Sequence, residues 1–322
     1  MELQGRKVLV TGGAGFVGSH LVDSLLKLGC RVIAYDNFDD FYSDKEKNIE
    51  HNLGDENFQL VRGSILDKEE LSSAMRGVDI VFHEAAQAGV RYCINNPMKA
   101  EEVNVVGTLN VLLTAREKKV KKMVYASSSS VYGKPAKSVL SEEHPLRPTS
   151  PYGVSKLAAE RYCLAFHETY GVPVTCLRYF SVYGPRGRPD QVVYSFAQSL
   201  AEDRAPIIYG DGRQSRDFTF VSDIVSGTIL AAMADESVGE VFNVGYGKEF
   251  SIEGIARKVI EYFGKDIEPH FVDGYRGDFP RTLCRNTKAR TLLRWTPQIN
   301  LEKGLNEFLD WFTSTKVGNL AH

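Results

Sequence analysis

Two kinds of apolar patterning alternate along the first half of the chain. Short unbroken apolar runs, rich in β-branched residues, read as strands buried on both faces. They are Arg6 to Thr11, Cys30 to Tyr35, Phe58 to Arg62, Val78 to Ala86, Lys121 to Ser128 and Val172 to Phe180. Longer stretches with apolar residues at helical spacing lie between most of them. Phe16 to Gly29 places Val17, Leu21, Leu25 and Leu28 on one side, and Ala100 to Lys118 and Tyr152 to Tyr170 also read as helices. Alternation of this kind predicts an α/β fold built on a doubly wound parallel sheet. After about Ser181 the rhythm breaks. Pro185, Gly187, Pro189, Gly210 and Gly212 mark long loops, and only short helices are expected, near Ser251 to Phe263 and Leu301 to Phe312.

The turn after the first strand carries candidate chemistry. Thr11 to Gly18 reads TGGAGFVG, with Gly12, Gly13, Gly15 and Gly18 between a buried strand and a helix. Glycines there allow a tight turn and close backbone approach, and the helix N-terminus offers free N–H groups to a phosphate. The second strand ends at Asp36, where a carboxylate accepts hydrogen bonds from free ribose hydroxyls and repels a 2′-phosphate. This strand–turn–helix–strand–Asp order predicts a Rossmann dinucleotide site selective for NAD over NADP. The expected organisation is an NAD-binding Rossmann domain over residues 1–180, joined by a segment near 216–245 that returns to it. A smaller, mostly C-terminal substrate lobe over 181–322 should cap the carboxyl ends of the strands.

A second string, Tyr152-Gly153-Val154-Ser155-Lys156, puts a phenol and an ammonium one helical turn apart on one face. A free tyrosine titrates near 10, too high for a general base at neutral pH. A neighbouring ammonium and a cationic nicotinamide ring would both lower that value. Ser128, at the end of the fifth strand, is placed to bond the same substrate oxygen. Catalytic residues are therefore expected at Ser128, Tyr152 and Lys156.

Composition narrows the class. The chain has 322 residues, 43% hydrophobic and 25% charged, with net charge −2, so nothing draws it as a whole to nucleic acid or anionic membrane. No apolar run approaches spanning length, and the N-terminus enters a charged residue and a core strand directly, so neither a membrane span nor a signal peptide is expected. Five scattered cysteines form no CxxC or Cys/His cluster, which points to a reduced, cytoplasmic protein without a metal site. His83, Cys163 and Cys176 sit in apolar runs and read as core residues, and Lys118 to Lys122 as a solvated charge run.

Taken with HEAAQAGVR (His83 to Arg91), SSSSVYG (Ser127 to Gly133), RYFSVYGPRGRPD (Arg178 to Asp190), GDGRQSRDFTFVSD (Gly210 to Asp223) and RGDFPRT (Arg276 to Thr282), these strings resemble the extended short-chain dehydrogenase/reductase family. Within it the likeness is to nucleotide-sugar 4-epimerases, and it covers essentially the whole chain. The resemblance implies that Gly12, Gly15, Phe16 and Val17 cradle the pyrophosphate of NAD. It implies that Asp36 and Asn37 take the adenosine ribose, that Ala85, Ala86 and Gln87 line the nicotinamide ribose, and that Asn104 is a structural asparagine. Ser64 stands where many relatives carry Asp against adenine, leaving Ile65 to pack there. Arg216, Arg276 and Asp278 correspond to a clamp on the substrate's nucleotide diphosphate, and Tyr209 to a uracil contact. A homodimer through the helices near Ala100 and Tyr152 is the family expectation.

The two positions before Val131-Tyr132-Gly133 bear on the reaction. Related 4,6-dehydratases carry Asp-Glu there and UDP-glucuronate decarboxylases carry Glu, whereas this chain has Ser129 and Ser130. The expected outcome is oxidation at C4 and return of the hydride to the other face. GVR, SSSS, FSVYG and GRPD resemble the UDP-glucuronate 4-epimerases, with Ser128, Ser129, Ser130 and Ser181 gathered around a C6 carboxylate and Arg188 or Arg91 adding charge. Such an enzyme must keep its β-keto acid intermediate from losing CO₂, by holding the carboxylate out of line with the carbonyl π system. UDP-glucuronate to UDP-galacturonate is therefore the expected conversion. UDP-glucose 4-epimerisation stands as the alternative, ahead of decarboxylation or a non-catalytic NAD-binding regulator on the same fold.

Overall fold

The computed structural model describes residues 1–134, 139–274 and 281–317. Seven strands form one sheet: β1 (Lys7–Thr11), β2 (Arg31–Asp36), β3 (Phe58–Arg62), β4 (Ile80–His83), β5 (Lys122–Ser128), β6 (Val174–Tyr179) and β7 (Val241–Val244). Their order is β3-β2-β1-β4-β5-β6-β7, and every pairing is parallel. The order reverses between β1 and β4, so a crevice opens at their carboxyl ends, as in other doubly wound sheets.

Alternate residues of each strand feed opposite cores. Val10, Ala34, Phe82 and Ala126 face a core shared with α1 (Phe16–Lys27). Leu9, Ile33, Val81 and Tyr125 face a core shared with α2 (Gly107–Glu117) and α3 (Pro151–Tyr170). The α3 helix begins where its sequence dictates: Ser150 accepts the Gly153 amide at 3.1 Å as N-cap, and Pro151 follows.

Three elements differ from the sequence reading. β4 spans Ile80–His83, shorter than the apolar run Val78 to Ala86, because the chain peels away after His83. There the Glu84 amide donates to the Thr11 carbonyl at 3.1 Å and the Ala85 amide to Thr11 Oγ1 at 3.2 Å. The helix expected over Ala100 to Lys118 is interrupted by a π-helical turn, Glu102–Val106. That turn points Asn104 inward, where its amide accepts from the Gln87 N–H at 2.7 Å and donates to the Gln87 carbonyl and Ser155 Oγ. Beyond Ser181 the two expected helices form, α6 (Ile252–Phe263) and α7 (Leu301–Phe312), but so do two that the loops had hidden, α4 (Val192–Ala201) and α5 (Val221–Met233). The α5 helix packs beside α1 on the core just described, and β7 extends the sheet past β6.

His83 is a structural residue. Its Nδ1 pairs with Thr11 Oγ1 at 2.7 Å and its Nε2 with Thr108 Oγ1 at 2.9 Å, and burial drives its pKa down to about 3, so the ring is neutral. All five cysteines are buried and free.

One buried ion pair ties three elements together. Arg178 of β6 donates from Nε to Glu160 Oε2 at 3.0 Å and from Nη2 to Glu160 Oε1 at 2.6 Å on α3. The same carboxylate accepts from Ser127 Oγ at 2.6 Å, and Arg178 Nη1 donates to Tyr132 Oη at 2.8 Å. Removing one partner leaves an uncompensated buried charge. Arg178→Met or Glu160→Gln should therefore lower stability by about 3–5 kcal/mol, read as a lower urea midpoint. The double replacement Arg178→Met with Glu160→Leu should lose less than either single change, because no charge is then left alone.

Candidate functional site

A cavity of about 620 Å³ lies over the carboxyl ends of β1, β4, β5 and β6 and beneath the segments after Ser181. Its floor at one end is the glycine turn. A Cβ on Gly18 would fall 2.0 Å from the Gly12 carbonyl, so helix and turn close together only with glycine there. Gly12, Gly15, Phe16 and Val17 all line the cavity at the N-terminus of α1. Asp36 accepts the Ala14 amide at 3.0 Å and the Phe38 amide at 2.8 Å, which fixes its carboxylate beside the turn. Burial pushes its pKa up, and those two amides and Lys45 act against the rise. Asn37, Ser64 and Ile65 line the same end. The Ser64 hydroxyl accepts from the Leu66 amide at 3.2 Å, so it stabilises its own loop, while Ile65 is buried beneath Gly107. Ala85, Ala86 and Gln87 line the next stretch, with Gln87 held by Asn104. The glycine cradle, free helix amides and fixed carboxylate fit a dinucleotide with free ribose hydroxyls.

Ser128, Tyr152 and Lys156 meet at the centre of the cavity. Ser128 ends β5; its Oγ accepts the Ser130 amide at 3.1 Å, and the same side chain acts on the Tyr152 phenol to lower its pKa. Lys156 donates to the Ala126 carbonyl at 2.8 Å and lies 5.1 Å from the centre of the Tyr125 ring. Burial lowers its pKa to about 8, opposed most by the Glu84 carboxylate.

The phenol departs from expectation. Burial pushes the Tyr152 pKa up, and the cation that counters this most is Arg188, not Lys156. The Lys156 ammonium is occupied at the strand carbonyl and the Tyr125 ring, whereas the Arg188 loop faces the phenol.

The serine run divides. All four of Ser127 to Ser130 line the cavity with Ser181, but the Ser127 hydroxyl donates inward to Glu160. Gly133 closes the turn at φ 62°, where a Cβ would fall 1.6 Å from the Arg147 carbonyl. Arg188 also lines the cavity, but its guanidinium is held in a two-bond pair with Asp190, at 2.8 and 3.1 Å. Arg91 lies 3.9 Å from the centre of the Tyr209 ring, so the structure sets it against the residue expected at uracil. Arg216 lines the cavity from the short strand Ser215–Asp217 and donates to the Ser215 carbonyl. Arg276 and Asp278 lie outside the described residues.

Sequence reasoning missed three carboxylates in this cavity, Asp39, Glu84 and Asp190. Glu84 accepts from the Tyr179 hydroxyl at 2.8 Å, and burial raises its pKa to about 7 against the influence of Tyr179 and Lys156. Its signal was present in HEAAQAGVR, an acid inside an otherwise apolar strand end. Asp190 was quoted only as the end of a motif. Among the described residues, no group of His, Cys, Asp and Glu is arranged to hold a metal, and no helix is long and apolar enough to cross a membrane.

Comparison with known proteins agrees with this architecture. A UDP-glucuronate 4-epimerase from Thermodesulfobacterium geofontis is 35% identical over 309 residues, 94% of this chain and 95% of that one. The structure of UDP-glucuronic acid 4-epimerase from Bacillus cereus, in complex with UDP-glucuronic acid and NAD, is 35% identical. It superposes with a TM-score of 0.90 over 98% of this chain and 99% of that one. The UDP-glucose 4-epimerase of Thermotoga maritima, with UDP-glucose, is 34% identical and superposes with a TM-score of 0.89 over 96% of this chain and 99% of that one. The profile of the NAD dependent epimerase/dehydratase family matches residues 8–245. With its parallel sheet, glycine cradle and fixed Asp36, this chain belongs to the NAD dependent epimerase/dehydratase family and takes NAD as its cofactor.

Proposed function

We propose that the protein is a UDP-sugar 4-epimerase that converts UDP-glucuronate to UDP-galacturonate. The observation that carries the reading is the wall of Ser129, Ser130 and Ser181 beside Tyr152, where a carboxylic acid would serve elimination or decarboxylation. Bound NAD supplies the acceptor, and later the donor, of the C4 hydride. Tyr152 takes the proton of the 4-hydroxyl and returns it to the epimer, with Ser128 favouring the phenolate. Lys156, anchored to the Ala126 carbonyl, holds its charge at the nicotinamide ribose. Gly12, Gly15, Phe16 and Val17 bind the pyrophosphate, and Asp36 and Asn37 the adenosine ribose. Ser64 and Ile65 border the adenine, and Ala85, Ala86, Gln87 and Asn104 form the nicotinamide end. Arg216, Arg276, Asp278 and Tyr209 hold the UDP moiety, with Arg91 stacked on Tyr209. The serine hydroxyls and Arg188 hold the C6 carboxylate out of line with the C4 carbonyl.

This assignment sets the organisation: residues 1–180 and a returning segment near 216–245 bind NAD, and the rest of 181–322 carries the sugar nucleotide. The proposed partner is a second copy of this chain. Val106 and Leu113, at and within α2, and Val154 and Tyr162 on α3 leave apolar side chains exposed on neighbouring helices. A cytoplasmic location accords with five free cysteines.

The decisive experiment is product analysis with UDP-glucuronate and, separately, UDP-glucose. We expect the larger kcat/KM with UDP-glucuronate, because donors built for a carboxylate are left unpaired by a hydroxymethyl group. Arg188→Ala should reduce glucuronate turnover more than residual glucose turnover and release some decarboxylated UDP-pentose. A preference for UDP-glucose, with Arg188→Ala acting equally on both, would establish the UDP-glucose 4-epimerase instead. UDP-pentose as the main wild-type product would make the protein a decarboxylase.

Tyr152→Phe should lower epimerisation by about 10²–10⁴-fold, the usual cost of losing a general base, while titration of UDP still gives wild-type affinity. Paired Leu113→Asp and Val154→Asp substitutions should convert a dimer to a monomer in light scattering. A wild-type monomer would refute the proposed interface.

A further inference from the structure

Residues 37–48 form a strap across the mouth of the glycine turn. Its first end is tied by the Phe38 amide to Asp36 Oδ1 at 2.8 Å, and its second by Asn48 Nδ2 to the Ala14 carbonyl at 3.0 Å. Within it, Lys45 donates to the Asp39 carbonyl and lies 4.8 Å from the centre of the Tyr42 ring. Phe41 packs edge-on against both Tyr42 and Tyr92, at 6.2 and 4.8 Å between ring centres. These contacts leave the Tyr42 ring little freedom, and they aim its hydroxyl at the N-terminus of α1. A Cβ built on Gly15 would lie 3.6 Å from that oxygen, and the Phe16 amide faces it.

The Tyr42 hydroxyl is sealed from solvent, and although the Phe16 amide points at it as a donor, no group accepts its proton. A buried hydroxyl without an acceptor is costly, and a strap of this length has many ways to relieve it. The place where it is tolerated is the helix end whose free N–H groups attract a phosphate. A phenol there is a suitable donor, because burial pushes its pKa up and keeps its proton on. The charged groups bearing on it are Arg188, Asp36 and Asp190, and none of them hydrogen-bonds it.

We propose that Tyr42 is a cofactor-binding residue whose hydroxyl donates to a phosphate oxygen of the NAD pyrophosphate at the N-terminus of α1. The strap thereby becomes a clasp that slows release of the cofactor. The inference rests on NAD as cofactor, not on which sugar nucleotide is turned over.

The test is Tyr42→Phe in the full chain, stripped of nucleotide. Calorimetry would give Kd for NAD and for ADP-ribose, and ligand-observed NMR would give Kd for adenosine, which has no phosphate. Loss of a hydrogen bond to a charged group should raise Kd for NAD and ADP-ribose by roughly tenfold or more and leave adenosine within twofold. The thermal midpoint without ligand should hold or rise, since the substitution removes a buried hydroxyl whose proton no group accepts. Unchanged NAD binding overturns the proposal. So does equal weakening of adenosine, or a fall in the ligand-free midpoint, either of which would mark Tyr42 as a prop for the strap.

Discussion

The candidate catalytic turn depends on one buried charge pair. Ser128 is the last residue of β5, and Ser129 and Ser130 open a single 3₁₀ turn, Ser129–Tyr132, that packs on the start of α3. Its two sides are anchored to Arg178 and Glu160, through the Ser127 hydroxyl before it and the Tyr132 hydroxyl at its end. The Tyr132 hydroxyl also donates to Asn243 Oδ1 at 2.6 Å, which extends the network to β7. A paired charge in a dry interior adds little net stability. What it supplies is direction: a bidentate guanidinium–carboxylate pair allows one relative placement of β6 and α3. The α3 helix carries Tyr152 and Lys156, so the same pair sets the serine turn against the phenol. This is positioning by groups that lie behind the cavity wall and touch no ligand.

The other end of the cavity is built on backbone rather than charge. The glycine turn, the amides at the start of α1 and the peeling of the chain after His83 are properties of main-chain geometry. They are held by side chains that bond to backbone: Asp36 to the Ala14 and Phe38 amides, Asn104 to both polar groups of Gln87, and Asn48 to the Ala14 carbonyl. Such a site reads a pyrophosphate and two riboses by shape and hydrogen-bond direction. The Rossmann half can therefore be nearly rigid, while longer side chains, Arg91, Arg188, Arg216 and Tyr209, line the rest of the cavity.

Legibility in the sequence follows the same division. The strands, the glycine turn and the body of α3 are local, set by runs of apolar residues, glycine spacing and helical spacing, and a linear reading finds them. The π-helical turn at Asn104 was invisible, because its cause is a tertiary contact with Gln87 and Ser155 that no periodicity encodes. The helices Val192–Ala201 and Val221–Met233 were hidden behind the proline- and glycine-rich loops that precede them. Glu84 and Asp190 escaped notice for another reason. Each was read as part of a motif string, but its effect depends on which groups the fold brings within reach, Tyr179 and Lys156 for one and Arg188 for the other.

The electrostatics of the cavity reverse the simplest reading of the Tyr–Lys pair. Spacing alone suggests an ammonium that lowers the phenol's pKa. Burial instead acts on both groups at once, raising Tyr152 and lowering Lys156, and so favours the neutral form of each. The charges that resist this come from outside the motif. Glu84, raised to about 7, supports a protonated Lys156, itself lowered to about 8. Arg188 acts on Tyr152, and its own charge is secured by Asp190 against the burial that opposes it. The buried ammonium and the phenol thus each have a separate counter-charge, from the residue that follows β4 in one case and from the Arg188 loop in the other. The phenol's reactivity then depends on the position of the loop that carries Arg188. Arg188 also lines the cavity, so in the proposed reaction one side chain of that loop would both border the sugar and act on the phenol.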